Sequence, residues 1–230
     1  MSQEEIDARR DSFRTDLYSS KHDIEWIFHK HIINKPPYIF LENPDKEHEL
    51  AKLVQEYFNV NYNDFIIIGS AQLGYSLSPA KNYRNFNAKS DIDLAIIDSK
   101  LFMDLKQELY DFTDGLQSDW IGTLFHPNPR MYIYSEDIHK TKGQKVIYEN
   151  QLSYYKYLSK GWFRADYKPN EFEICRNGKR FIDFQSDIYK IFKRKIGLAI
   201  YENWFFFMNY HIKNLQMLKL RMGVETNVAK

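Results

Sequence analysis

Asp91 and Asp93 stand two apart in Ser90-Asp91-Ile92-Asp93-Leu94-Ala95-Ile96-Ile97. On a β-strand, residues i and i+2 leave the same face with Cα atoms roughly 6.6 Å apart, so both carboxylates can converge on one site. Two negative charges that close repel and lose hydration unless a cation lies between them, and an all-oxygen donor pair suits Mg²⁺ or Mn²⁺. Upstream, Ile66-Ile67-Ile68 ends in Gly69-Ser70. Backbone N–H groups at such a turn suit phosphate oxygens, and the glycine permits close approach. The run Gly69-Ser-Ala-Gln-Leu-Gly74-Tyr75-Ser76 also has the glycine spacing of a P-loop. Tyr75 stands where a lysine would neutralise the β and γ phosphates, and without that lysine the P-loop mechanism is lost.

These residues need elements to hold them. Phe65 to Ile68 is a short continuous apolar run, which predicts a central strand buried on both faces. Asp91 to Ile97 alternates and then turns apolar, predicting a second strand. Residues 74–90 are polar and contain Pro79, which predicts a loop. Helical spacing is expected over 3–18, built on Ile6, Phe13 and Leu17, then over Pro44 to Phe58 and Leu101 to Leu116, with a strand at Met131 to Tyr134. Asn177-Gly178 predicts a hairpin across 172–183, with Ile174 facing Phe181 and Phe172 facing Asp183. Residues 186–222 lack proline and keep a helical period, predicting one long helix or a pair broken near Gly197. The expected fold is α/β (α+β), a small mixed β-sheet with an N-terminal helical extension over 1–60, a core over 61–185 and a C-terminal helical part over 186–230.

The pairing of Ile66-Ile67-Ile68-Gly69-Ser70 with Ser90-Asp91-Ile92-Asp93-Leu94 resembles the DNA polymerase β-like nucleotidyltransferase superfamily. There a strand, Gly-Ser or Gly-Gly and a helix precede Asp-x-Asp on the next strand. The resemblance implies transfer of a nucleoside monophosphate from a nucleoside triphosphate to an acceptor hydroxyl, with pyrophosphate leaving. It implies that Asp91 and Asp93 hold Mg²⁺ or Mn²⁺, that Ser70 contacts the triphosphate, and that a third carboxylate on a later strand completes the site. The candidates are Asp183, Glu173 and Asp166. Asp183 is preferred for its strand-like setting in Arg180-Phe181-Ile182-Asp183-Phe184. The segment from Ser70 to Asp91 is longer than in compact members, so Lys81, Tyr83, Arg84 and Lys89 either close over the triphosphate or decorate the surface. The acceptor stays open among a small molecule, a protein, a nucleic-acid end and a second nucleotide. Ser-Asp-Ile-Asp-Leu also looks like the second-messenger synthases of bacterial defence. Lacking a third carboxylate, the chain is expected to bind nucleotide without turnover, as a module of a defence or toxin-antitoxin system.

Charge along the chain is uneven. Residues 139–195 carry 14 Lys/Arg against 6 Asp/Glu, while the stretch before them is acidic, so this block is either a phosphate or nucleic-acid contact surface or a solvated basic face. Cys175 is the only cysteine, which excludes an internal disulfide and a thiolate zinc cluster. Met1 to Asp11 carries four acidic residues, unlike a secretory signal or a basic presequence. The longest purely apolar run, Trp204 to Met208, falls far short of the roughly 20 residues of a spanning helix, so a cytoplasmic protein without a membrane span is expected. His29 and His31 lack clustered partner ligands, and the aromatic run Trp204 to Phe207 is expected to pack rather than stack a base.

Overall fold

Four short strands form the sheet that carries the two aspartates. This computed structural model describes residues 3–19, 21–78, 81, 83–112, 131–134, 145–148, 157–164 and 178–228. Helix α1 spans Gln3–Tyr18 and buries Ile6, Phe13 and Leu17, the stripe its spacing predicts. Helix α2 (Ile24–Phe28) starts where the Asp23 side chain accepts from the Trp26 N–H at 2.7 Å, satisfying one otherwise orphaned donor. It runs straight into a π-helical turn, His29–Ile33. Pro36 and Pro37 then force a break before the 3₁₀ turn Tyr38–Phe40. Helix α3 (Asp45–Phe58) ends on Asn59 in the left-handed conformation, and strand β1 follows at Phe65–Ile68.

After β1 come α4 (Gly69–Leu73), β2 (Ile92–Ile97), α5 (Ser99–Phe112), β3 (Met131–Tyr134), β4 (Lys145–Tyr148) and β5 (Trp162–Arg164). The chain continues through α6 (Lys179–Phe192), β6 (Ile196–Tyr201) and α7 (Trp204–Val228). The main sheet has the order β1-β2-β6-β5, and β3 pairs with β4 in a separate antiparallel ribbon. Strand β2 runs antiparallel to β1, with Ile68 opposite Asp93, and parallel to β6, with Asp93 opposite Gly197. The fold is therefore α+β on a small mixed sheet. Among the described residues no helix is long and apolar enough to cross a membrane.

Each face of the sheet feeds its own core. Ile92, Leu94 and Ile96 of β2 join Ile196, Leu198 and Ile200 of β6 in a cluster with Leu50, Val54 and Phe58 of α3, Leu101 and Phe102 of α5, and Phe181, Phe184 and Ile188 of α6. The alternate positions Ala95, Ile97 and Tyr201 join Phe13 and Leu17 of α1, Ile27 and Phe28 of α2, and Phe207, Leu215 and Leu218 of α7. Asp93 lies in register with this second set, so the period of two places a charge on a face that is otherwise apolar.

Three expectations are corrected. Strand β1 is an edge strand with only Ile67 fully buried, because a brief isoleucine run has the same pattern at an edge as in a sheet centre. The helix expected over 186–222 is instead the end of α6, strand β6 and most of α7. Ile196-Gly-Leu-Ala-Ile-Tyr is a short apolar run, and periodicity alone does not separate a buried strand from a buried helix at that length. The hairpin expected across 172–183 is absent from its described part, where Gly178 caps α6 in extended conformation and residues 179–183 are helical; 172–177 lie outside the described residues. The boundary expected at 185/186 thus falls inside α6, and β6 beyond it belongs to the main sheet.

The helical register of α6 makes a direct prediction. In a strand, Ile182 and Phe184 would share a face; on the helix Phe184 is fully buried against Phe58 while Ile182 is 49% exposed. Phe184→Ala is expected to lower unfolding free energy by about 3–5 kcal/mol and Ile182→Ala by no more than about 0.5 kcal/mol, measured by urea denaturation. Equal losses at the two positions would contradict the helix.

Candidate functional site

A cleft of about 730 Å³ opens at the end of the sheet where β1 finishes and β2 and β6 begin. Gly69, Asp91, Asp93, Lys195 and Gly197 line this end. Asp93 comes from β2 itself, and Asp91 from the residue just before that strand. The two sequence-predicted carboxylates therefore share one cleft beside the predicted glycine turn.

Asp93 is set between Gly197 of β6 and Gly69, the first residue of α4 just past the end of β1. A Cβ on Gly69 would lie 2.5 Å from Asp93 Oδ2, and one on Gly197 would lie 3.3 Å from Oδ1. Gly69 also has φ +67°, a conformation that L side chains adopt only with strain. Both carboxylate oxygens thus lie against glycine backbone so closely that a side chain at either position would collide with them. The Asp93 carboxylate is open to solvent at the cleft mouth, yet protein crowds it from below and from both flanking strands. That loss of water pushes its pKa up to about 6; the Asp91 charge raises it further, and Lys81 acts in the opposite direction.

The far end of the cleft is aromatic. Along β6, Gly197 and Ala199 give way to Tyr201 on the same face, roughly 13 Å beyond Gly197 at the usual strand rise. Trp162 of β5 stacks nearly parallel to Tyr201 with ring centroids 5.8 Å apart, and Tyr210 of α7 stands 4.3 Å from the Trp162 ring. His211 lies 3.4 Å from the Tyr201 hydroxyl through Nε2, and burial lowers its pKa to about 4, so at neutral pH it is an uncharged hydrogen-bonding group. The cleft joins a charged, oxygen-rich end to an aromatic one past the small residues Gly197 and Ala199.

The remaining predicted residues are distributed unevenly. Ser70 follows Gly69 in α4, and its carbonyl accepts from the Gly74 N–H at 2.9 Å. Lys81 is near enough for its charge to act on Asp93, whereas neither Arg84 nor Lys89 lines the cleft; both are exposed. Asp183 sits on helix α6, not on a strand, pairs with Lys179 at 3.4 Å and does not line the cleft. The physical reason is the helical period, which turns Phe181 and Gln185 toward the cleft and leaves Asp183 between them on another side. Glu173 and Asp166 lie outside the described residues. No group of three His, Cys, Asp or Glu side chains placed to hold a metal is found among the described residues. His31 is buried against Asp16 at 2.7 Å and joins α1 to the π-helical turn, a structural role. Phe207 is buried as packing, while Trp204 and Phe205 are exposed.

Sequence reasoning missed Lys195 and Gly197. Lys195 was one cation in a long basic block, and Gly197 read as a helix break. The signal that could have found Gly197 is a lone glycine within a short apolar run, a pattern that marks close approach of another group to a strand.

The raised Asp93 pKa fixes the sign of a pH effect. A carboxyl whose folded pKa exceeds its unfolded value binds a proton more readily in the native state, so stability falls as pH rises from about 4 to about 6. Asp93→Asn removes that effect. Without divalent cations the variant is expected to be more stable than wild type at pH 7.5, by about 1 kcal/mol once solvent screening is allowed for, and equal at pH 4. Urea unfolding at the two pH values checks this, and an advantage that persists at pH 4 would show that Asp93 is not its source.

No protein-family model, no curated protein and no solved structure matches this chain.

Proposed function

We propose that the cleft binds a nucleoside triphosphate together with Mg²⁺ or Mn²⁺ and transfers its nucleoside monophosphate to an acceptor hydroxyl. The observation that carries this reading is the placement of Asp93 between two glycines, with Asp91 in the same cleft. A carboxylate that has lost part of its water beside a second carboxylate is destabilised unless a cation joins them. Such a cation would approach from the cleft, where Asp93 is exposed to solvent and Asp91 lines the same opening. Two carboxylates suffice for Mg²⁺, which commonly takes one or two from protein and completes its shell with water and substrate phosphates. A bound divalent ion would supply charge neutralisation for the phosphates and acidify an acceptor hydroxyl.

In this reading the chain's own residues bind and orient. Asp91 and Asp93 fix the polyphosphate end. Gly69 permits its close approach, with Lys195 and Lys81 offering positive charge nearby. Trp162 and Tyr210, partly exposed with Tyr201 buried behind them, give aromatic faces against which a base could pack at the other end. The acceptor hydroxyl gives up its proton to solvent and its oxygen bonds to the α-phosphorus as the bond from that phosphorus to the bridging oxygen breaks, and the electron pair departs with pyrophosphate. We place the reaction in the cytoplasm, which supplies nucleoside triphosphates and keeps Cys175 reduced.

One observation favours a second reading. No third carboxylate joins Asp91 and Asp93 among the described residues, as a nucleotide-binding module without turnover would have it. Pyrophosphate release separates the two. Wild type incubated with the four labelled ribonucleoside triphosphates and Mg²⁺ or Mn²⁺ is expected to release pyrophosphate, and Asp91→Ala or Asp93→Ala to lose at least about 100-fold of that rate, the scale seen when a key electrostatic contact to a transition state is removed. Triphosphate binding with no release under any acceptor would establish the module instead.

A further inference from the structure

Asp93 is placed by the sheet, but Asp91 lies before the first residue of β2 and depends on what holds the chain leading into it. That chain returns from the 74–90 excursion through a tight turn. The Ser90 N–H donates to the Asn87 carbonyl at 2.9 Å, the Asn87 N–H to Ser90 Oγ at 3.1 Å and the Lys89 N–H to Asn87 Oδ1 at 3.0 Å. From the connection between α6 and β6, Arg194 reaches this turn, donating through Nη1 to the Asn87 carbonyl and, at 3.2 Å, to the Ser90 carbonyl. Its guanidinium lies 4.4 Å from the centroid of the Phe86 ring, and Phe86 is itself buried, with its N–H donating to the Gly74 carbonyl at 2.8 Å. The next residue, Lys195, accepts from the Ile92 N–H at 2.9 Å.

Together these contacts anchor the peptide plane before Asp91 and the peptide plane after it to two consecutive residues. The φ and ψ of Asp91 lie between those planes, so both torsions, and with them the direction of its Cβ, are held by residues 194 and 195. We propose that Arg194 is a positioning residue that aims the Asp91 carboxylate into the cleft, a role that rests on the metal-and-nucleotide reading of that cleft. The guanidinium donates to both carbonyls through Nη1 while its carbon lies over the Phe86 ring; a lysine ammonium can still donate but has no planar group to lay against that ring.

The test uses the full chain and Mn²⁺ alone as probe, with affinity read from loss of the free-ion electron paramagnetic resonance signal. Arg194→Met is expected to weaken Mn²⁺ binding roughly tenfold, toward the value for Asp91→Asn, and Arg194→Lys to retain part of the affinity. Combining Arg194→Met with Asp91→Asn is expected to add no further loss, whereas combining it with Asp93→Asn does. A purely structural arginine would lower the melting temperature without producing this pattern. Wild-type affinity in Arg194→Met, or full additivity with Asp91→Asn, would overturn the proposal. Should Arg194→Met not fold, the same cycle run with Arg194→Lys decides it. If wild type takes up no Mn²⁺, and Asp91→Asn and Asp93→Asn change nothing, the metal reading itself fails and the role of Arg194 falls with it.

Discussion

The parallel pairing of β2 with β6, in the register that sets Asp93 opposite Gly197, is the constraint on which the cleft depends. A shift of one residue would turn Asp93 into the core shared with α3, α5 and α6 and put Leu94 on the face that now carries Asp93. The register is held by six apolar positions on the opposite face, Ile92, Leu94, Ile96, Ile196, Leu198 and Ile200, each under 9% exposed. Slippage of β2 would take Ile92, Leu94 and Ile96 out of that core and put the Asp93 charge into it, so hydrophobic burial on one face locates a carboxylate on the other.

That arrangement leaves the carboxylate in an unfavourable place. Glycines on both sides bring neighbouring strands close and remove water without offering side-chain donors. The result is a native state that, in the absence of a cation, favours a proton on Asp93. A protein selected only for stability has an easy remedy in any neutral residue at 93. A charge at 93, crowded by glycine on both sides, is what the proposed cation-dependent role would account for.

Much of the fold was legible where a pattern ran long enough to carry its own period. Helices α1, α3 and α5 and strand β2 are close to where apolar spacing puts them, and β1 and β3 match to the residue. The carboxylate pair was legible for the same reason, since a period of two on a strand is enough to place Asp91 and Asp93 together. Strand β6 was not, because six apolar residues fit either a strand or a helical turn and a half, and its identity is settled by pairing with β2, a contact of long sequence separation. Asp183 was misplaced by a local signal. Asn177-Gly178 favours a two-residue hairpin in isolation, but Phe181, Phe184 and Ile188 gain burial only if the chain beyond the glycine is helical.

The two carboxylates differ in what fixes them, and that difference has consequences for how the cleft works. Asp93 is held by hydrogen-bonded strands on both sides, so its position is as rigid as the sheet. Asp91 belongs to the end of a polar excursion whose strands do not extend to it, and its direction is conveyed through Arg194 and Lys195 from the start of β6. Since β6 pairs with β2 on one side and β5 on the other, any displacement of the α6–β6 connection moves Asp91 relative to Asp93 without breaking the sheet. A site that needs both acids at one cation is therefore sensitive to that single connection. The same connection carries Lys195 into the cleft, so in the proposed reading the positive charge offered to a phosphate and the aim of Asp91 are set by two adjacent residues of one turn.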